Sequence, residues 1–148
     1  MSENPSLPPS AIQASREVRA VISRLRRRIM KAAEVEDITL SQMSVLARLS
    51  DKGGVTASDL AATEGVRHQS MTATVASLAA MGLAERSPDP DDGRRLLITL
   101  TEEGHRRVAE GRQARTEWLA GRLRDRATEE ERQTVIAAMA VLQRLTHD

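Results

Sequence analysis

The stretch 56–101 constrains the fold of this chain more than any other part of the sequence. Thr56 precedes a short helical pattern that ends at Gly65, and a second helical pattern over 67–81 ends at Gly82. Thr is favoured at the residue that caps the start of a helix, and Gly is favoured just past its end. The sequence therefore predicts two short helices that are joined by a tight turn.

Two short apolar runs follow the second helix, at Leu83-Ala84 and at Leu96 to Leu100, and a loop rich in Pro, Asp and Arg joins them. Such a pattern is typical of a β-hairpin with a charged tip. A strand of one or two residues is also predicted at Val55. Helix, turn, helix and hairpin in this order predict a winged helix-turn-helix, a fold whose DNA-binding members place the second helix in the major groove.

The segments on both sides of this unit are predicted to be mainly helical. Residues 1–10 are rich in Pro and are expected to form a loose tail. Apolar residues recur every three or four positions over 11–33, and capping boxes at Thr39 and Thr128 open two further helices. Thr101 caps a long helix between them. The inner face of the helix after Thr39 is predicted to carry Met43, Leu46 and Leu49.

The apolar stripes of the first helix and the last two helices are longer than the small winged unit can cover. A homodimer is the economical way to bury them. We therefore predict a mainly α fold with a small β-hairpin wing, in which residues 36–101 form the winged helix-turn-helix. The flanking regions 11–35 and 102–147 are predicted to form the dimerisation helices.

The outer face of the second helix is small, polar and free of acids. A rotation of about 100° per residue places Met71, Val75 and Leu78 on the inner face. No acidic residue lies between Gly65 and Glu85. The residues predicted to contact DNA in the major groove are Arg67, His68, Gln69, Ser70, Thr72, Ala73 and Ser77.

Small, hydrogen-bonding side chains suit a helix that enters a groove about 12 Å wide. Gln69 is suited to adenine, Arg67 and His68 to phosphate or guanine, and Ser70 and Thr72 to bases or phosphates. The alternative is a buried central helix that merely tolerates its Ser and Thr residues. The clustering of Arg, His and Gln at one end argues against that alternative.

The hairpin tip, 87–95, reads SPDPDDGRR, with three acids and two arginines. A calcium loop is excluded, because the Gly is the fifth residue counted from Asp89 rather than the sixth and no Glu closes the loop. We expect one Asp to pair with an Arg and stiffen the tip, so that a remaining Arg can enter the minor groove. The wing residues predicted to serve DNA binding are Asp92, Arg94 and Arg95. A solvated turn of mixed charge is the alternative.

Composition excludes several other functions. The chain has no Cys, which removes disulfides, thiolate metal sites and thiol redox sensing. Its three His residues are isolated, and no phosphate loop or nucleophile–base spacing occurs, so neither an enzyme nor a cofactor or metal site is predicted. No signal peptide or membrane-length apolar run is present, which predicts a cytoplasmic protein. The formal net charge of only +1 favours the runner-up function, a winged-helix protein-interaction module without DNA binding.

The sequence resembles the MarR family of bacterial transcription regulators in three segments. The wing resembles the family signature D-x-R, an alternating strand, and L-T-x-x-G. The matching segments are Asp92 to Thr101 with Gly104, Leu40 to Leu46, and Ser70 to Thr72 with Leu78 and Met81 to Leu83.

The resemblance implies a homodimer that binds a pseudo-palindromic operator in double-stranded DNA, often as a repressor. It also implies that Asp92 and Arg94 hold and insert the wing, and that Arg67 to Thr74 lies in the major groove. Small effectors, often phenolic or anionic, release many family members from DNA. The members that sense oxidants use Cys, so the absence of Cys here excludes that mode.

Overall fold

The computed structural model describes residues 7–32 and 37–147. Within these residues the chain forms six helices and one two-stranded antiparallel sheet. In chain order the elements are α1 (Pro9–Ala32), α2 (Leu40–Lys52), α3 (Ala57–Glu64), α4 (His68–Ala80), β1 (Ala84–Pro88), β2 (Leu96–Leu100), α5 (Glu102–Arg126) and α6 (Glu129–Arg144). The predicted mainly α fold with a β-hairpin is confirmed. The first six residues of the predicted tail and the predicted end of the first helix at Ala33 lie outside the described residues.

The contacts divide the chain into two units. One unit spans Glu34–Ala114, and the other combines Met1–Ala33 with Arg115–Asp148. The first half of α5 belongs to the winged unit, because Gly104, Val108 and Gly111 are buried. The dimerisation role of the flanking helices stays a prediction.

The winged unit has a continuous apolar core to which every one of its elements contributes. The buried apolar residues are Val45, Leu46, Leu49, Leu60, Ala61, Met71, Val75, Leu78, Leu83, Ala84, Ile98, Leu100 and Val108. Burial of Met71, Val75 and Leu78 confirms the predicted inner face of α4. On α2, however, Met43 is only partly buried and Val45 is fully buried. The apolar period fits both rotations of α2, and packing against the neighbouring elements selects the one that buries Val45.

The hairpin pairs Ala84 with Leu100 and Pro88 with Leu96, and β2 has the predicted bounds. The short strand predicted at Val55 is a single isolated bridge, in which its N–H donates to Ile98 O at 3.2 Å and its carbonyl accepts from Ile98 N at 2.7 Å. The first strand extends to Pro88, well beyond the predicted Leu83-Ala84. Its outer half has exposed side chains and is held by backbone pairing, which an apolar pattern does not reveal.

Within the winged unit, two ion pairs connect α5 to α2 and to the segment just before it. Arg107 Nη2 lies 2.8 Å from Asp37 Oδ1, and Arg112 Nη2 lies 2.9 Å from Asp51 Oδ1. Both pairs have an exposed carboxylate, and only the Arg107 side chain is partly buried. Exposed pairs contribute little stability, so these contacts serve mainly to position α5.

The second unit contains α1, the end of α5 and α6. Thr128 forms the predicted capping box with Glu131 at the start of α6. Large apolar side chains are exposed on α1, including Val21 and Ile22, and on α6, including Val135 and Met139. Among the described residues, no helix is both long and apolar enough to cross a membrane.

Candidate nucleic-acid interface

The turn between α3 and α4 sets the direction in which α4 leaves the core. Gly65 adopts a left-handed conformation with φ of 66°, which Gly tolerates without a Cβ penalty. Directly before it, Glu64 accepts hydrogen bonds from Arg48 Nε at 2.7 Å and from Ser44 Oγ at 2.8 Å. Partial burial opposes ionisation of Glu64, yet the bonds from Arg48 and Ser44 outweigh it and lower the pKa of Glu64. An ionised Glu64 thus ties the turn to α2.

The outer face of α4 is exposed along its whole length. All seven residues predicted to contact the major groove are exposed, and we call them together the recognition surface. Thr72 Oγ1 donates to the carbonyl of His68 at 2.9 Å, so that hydroxyl is engaged with its own helix. Ser77 Oγ accepts from Gln42 Nε2 at 2.9 Å, a tie to α2 that sequence reasoning missed. The other recognition-surface side chains make no side-chain hydrogen bond within residues 7–32 and 37–147.

The start of α4 carries positive partial charge. Arg67 occupies the N-cap position with an extended backbone, and in the described part of the chain no side chain caps the helix start. The first N–H groups of a helix have no partner within the helix. Together with the helix dipole they favour an anion such as a phosphate at this end.

The exit from α4 into the wing is fixed by backbone contacts with the start of α5. Thr101 N donates to Leu83 O at 3.1 Å, and Thr101 Oγ1 donates to Gly82 O at 2.6 Å. The same hydroxyl oxygen accepts from Gly104 N at 3.0 Å. A Cβ at Gly104 would lie 2.0 Å from Leu83 O, so only Gly fits there. The L-T-x-x-G segment therefore joins the wing to α5.

The wing tip is organised by two aspartates that bond to backbone N–H groups. Asp89 Oδ1 accepts from Asp91 N at 2.9 Å, and Asp92 Oδ1 accepts from Arg94 N at 3.1 Å. Asp89 N donates to Arg95 O, and Arg95 N donates to Asp92 O, both at 2.9 Å. These are local Asx-type turns that stiffen the loop. The hydrogen bond of Asp92 thus goes to the backbone of Arg94 and not to its guanidinium.

The two arginines of the tip have different surroundings. Arg95 lies between two acids, with Nη2 3.9 Å from Asp59 Oδ2 and Nη1 3.9 Å from Asp89 Oδ2. Arg94 is exposed and has no ion pair with any residue of the described ranges. Hydrogen bonds from Thr56, with a smaller contribution from the charge of Arg95, hold the pKa of Asp59 below its usual value. The partnership of Asp59 with the wing was not predicted.

In the described ranges, no group of three or more His, Cys, Asp or Glu side chains is placed to hold a metal ion. An exposed, acid-free helix within a helix-turn-helix, followed by a wing with an exposed Arg, defines the winged-helix class of DNA-binding proteins.

Comparisons with known proteins agree with this class. The sequence model of the MarR family matches residues 36–95. The chain is 43% identical over 102 residues to the HTH-type transcriptional regulator Mb0904 of Mycobacterium bovis, covering 69% of this chain and 71% of that protein. The chain belongs to the MarR family and is a DNA-binding regulator of transcription.

Solved structures share the fold over nearly the whole chain. A transcriptional regulator protein from Pseudomonas aeruginosa PA01 is 31% identical with a TM-score of 0.81, covering 96% of this chain and 99% of that one. A mutant of S. aureus MepR bound to an oligodeoxyribonucleotide is 22% identical with a TM-score of 0.66, covering 90% and 98% of the two chains. The second likeness concerns the fold alone.

Proposed function

We propose that the protein is a homodimeric repressor that binds a pseudo-palindromic operator, with the recognition surface in the major groove and Arg94 in the minor groove. The observation that carries this proposal is the exposed, acid-free outer face of α4. Its predicted contacts are Arg67, His68, Gln69, Ser70, Thr72, Ala73 and Ser77. A regulator of this kind acts in the cytoplasm, where bacterial DNA lies.

The chemistry of α4 supports separate roles along its length. Arg67 and the open N–H groups at the helix start suit phosphates. Gln69, exposed in the first turn, can bond both the N6 and N7 edges of adenine. Ser77 is held by Gln42, so we assign it to close packing against the DNA backbone rather than to base reading.

The wing supports a second contact. The backbone of Arg94 is fixed by Asp92, which leaves its guanidinium exposed at the end of the loop. A narrow minor groove has an enhanced negative potential that attracts such an Arg. We therefore assign Asp92 to holding the loop and Arg94 to the contact.

Dimerisation is supported by the apolar side chains that α1 and α6 expose in a single chain. Val21, Ile22, Val135 and Met139 are between 42% and 52% exposed, which is unusual for side chains of this type on so many turns of helix. A second copy that covers them would present two recognition surfaces to successive major grooves, about 34 Å apart. Release by a small phenolic or anionic effector is proposed from the family resemblance.

The proposal is tested by fluorescence anisotropy of the purified protein with its own upstream DNA, titrated against salt. We expect sequence-dependent binding that weakens steeply with salt, because each neutralised phosphate contributes about −0.9 to the slope of log K against log salt. Size-exclusion chromatography with light scattering measures the dimer. If the operator lies elsewhere in the genome, selection of bound sequences from a random DNA pool identifies it. Binding that is indifferent to sequence in both experiments would instead support the protein-interaction module.

A further inference from the structure

The last residue of the wing loop is an arginine whose side chain lies near two of the protein's own acids. The last strand pair of the hairpin is Pro88 with Leu96, so Arg95 stands where the loop meets its strands. Its N–H and carbonyl are both bonded within the loop, and its guanidinium lies 3.9 Å from Asp59 on α3 and 3.9 Å from Asp89 on the loop. Arg95 therefore connects two elements that are far apart in sequence.

The local charge also distinguishes Arg95 from its neighbour. Asp59 is exposed and Asp89 is mostly buried, and both would repel DNA if left unpaired. A guanidinium placed between them offsets that repulsion, and engagement by two carboxylates leaves it less available to a phosphate. Arg94, one residue away, has no such partner in the described part of the chain.

We propose that Arg95 is a positioning residue, which holds the wing against α3 through Asp59 so that Arg94 alone reaches the minor groove. The inference rests on the proposed contact between the wing and DNA. Exposed ion pairs add little to stability, but this one acts on the residue next to Arg94. Loss of the Arg95 anchor displaces the adjacent backbone of Arg94, so a weak tie can control whether Arg94 meets the groove.

The sign of one substitution tests this role. Replacing an acid by an amide on a DNA-binding surface removes repulsion and should strengthen binding. If Asp59 anchors the wing through Arg95, Asp59→Asn should instead weaken operator binding, by about 2- to 5-fold, the scale of an exposed ion pair. The backbone half of the helix cap survives this change, because the N–H of residue 59 donates to Thr56 Oγ1. The hydroxyl of Thr56, which donates to Asp59 Oδ2 at 2.7 Å, can donate to the amide oxygen of Asn instead.

Asp91→Asn is the matched control. Asp91 is an exposed acid of the wing loop, and its side chain makes no hydrogen bond or ion pair within the described residues. We expect this variant to bind DNA as tightly as the wild type or more tightly. Stronger binding by Asp59→Asn, comparable to that of Asp91→Asn, would overturn the inference.

A double variant provides the second test. Arg95→Gln should weaken binding to a similar extent as Asp59→Asn, and the double variant should bind no worse than either single variant. The salt slope should stay at the wild-type value. If Arg95 instead contacts a phosphate, its removal should make the slope of log K against log salt less steep by about 0.9. The loss of affinity on removing Arg95 would then be the same with Asp59 present or absent. Either result contradicts a positioning role.

Arg94→Ala separates this inference from the proposed function. Weaker binding by Arg94→Ala, together with stronger binding by Asp59→Asn, leaves the wing contact intact and overturns only the role of Arg95. Wild-type affinity of Arg94→Ala would overturn both. Thermal melting of each variant, at the concentration used for binding, identifies losses that come from unfolding.

Discussion

Replacing Gly104 with Ala tests the close approach between the start of α5 and the entry to the wing. The added Cβ would lie 2.0 Å from Leu83 O and 3.2 Å from Leu100 Cδ2. A carbon and a carbonyl oxygen in contact are normally about 3.3–3.6 Å apart. Because the obstructing atom belongs to the backbone, rotation of a side chain cannot relieve the clash. The two segments must separate by roughly 1 Å or more.

The cost can be built up from the contacts at this point. Overpacking of a well-packed region costs about 1–3 kcal/mol. Separation also weakens the hydrogen bond from Thr101 N to Leu83 O, which contributes about 1 kcal/mol. In the opposite direction, Ala favours a helix interior over Gly by about 1 kcal/mol. The net destabilisation is therefore about 1–3 kcal/mol, which lowers the melting temperature by roughly 3–10 °C for a chain of this size.

Circular dichroism at 222 nm, followed against temperature at one fixed protein concentration, measures this change. Gly121→Ala is the matched control on the same helix, since a Cβ there meets no atom within 4 Å among the described residues. The control should melt at the wild-type temperature or slightly above it. Equal melting temperatures for Gly104→Ala and Gly121→Ala would refute the steric argument.

The remaining predictions concern DNA contacts, acid stability and assembly. Arg94→Ala should weaken operator binding and make the slope of log K against log salt less steep by about 0.9, as measured by anisotropy. An unchanged slope would contradict a phosphate-neutralising contact. Gln69→Ala should change the preference among operator variants by about 1–3 kcal/mol at one base pair, and a uniform loss across sequences would make Gln69 a phosphate contact. Burial opposes the charge of Glu64, but hydrogen bonds such as the one from Arg48 lower the pKa of Glu64 below the ordinary 4.5. The stabilisation from this ionised carboxylate is therefore complete above pH 4.5 and is lost as the pH falls through the lowered pKa. Glu64→Gln should therefore melt several degrees below the wild type at pH 7, with a gap that closes in acid; a gap independent of pH would refute the linkage. Deletion of 135–148 should give monomers that bind DNA poorly, and a dimeric product by light scattering would place the interface elsewhere.

Local signals in the sequence were sufficient to predict most of the helices and the second strand. Thr39, Thr56 and Thr128 cap helices because each hydroxyl bonds to a backbone N–H three residues later, and those rules act within a single turn. The outer half of β1 was not predicted, because what holds it is not local in sequence. Its residues are held by backbone pairing with β2, and their exposed side chains do not show the apolar pattern of a strand.

The site was predictable only as a surface. Helical periodicity is sufficient to say which residues of α4 face outward, and all seven predicted ones do. Their partners were not predictable, because Gln42 bonds Ser77 across 35 residues and Arg95 reaches Asp59 across a similar separation. Whether such side chains meet depends on the packing angles between elements, and a one-dimensional pattern does not contain those angles.

These partners show how the fold presents α4 while leaving most side chains of the recognition surface unengaged. Glu64 ties the turn before the helix to α2, Gln42 holds Ser77 near the C-terminal end of the helix, and the contact between Leu83 and Gly104 fixes its exit. Of the three, only the Gln42 tie involves a residue of the recognition surface, Ser77. Within the part of the chain that the structure describes, the side chains of Arg67, His68, Gln69 and Ser70 therefore keep their donors and acceptors free while the backbone beneath them is already positioned. Since ordering a binding element costs free energy at the moment of association, a helix held in this way can direct its hydrogen bonds to discriminating among base pairs.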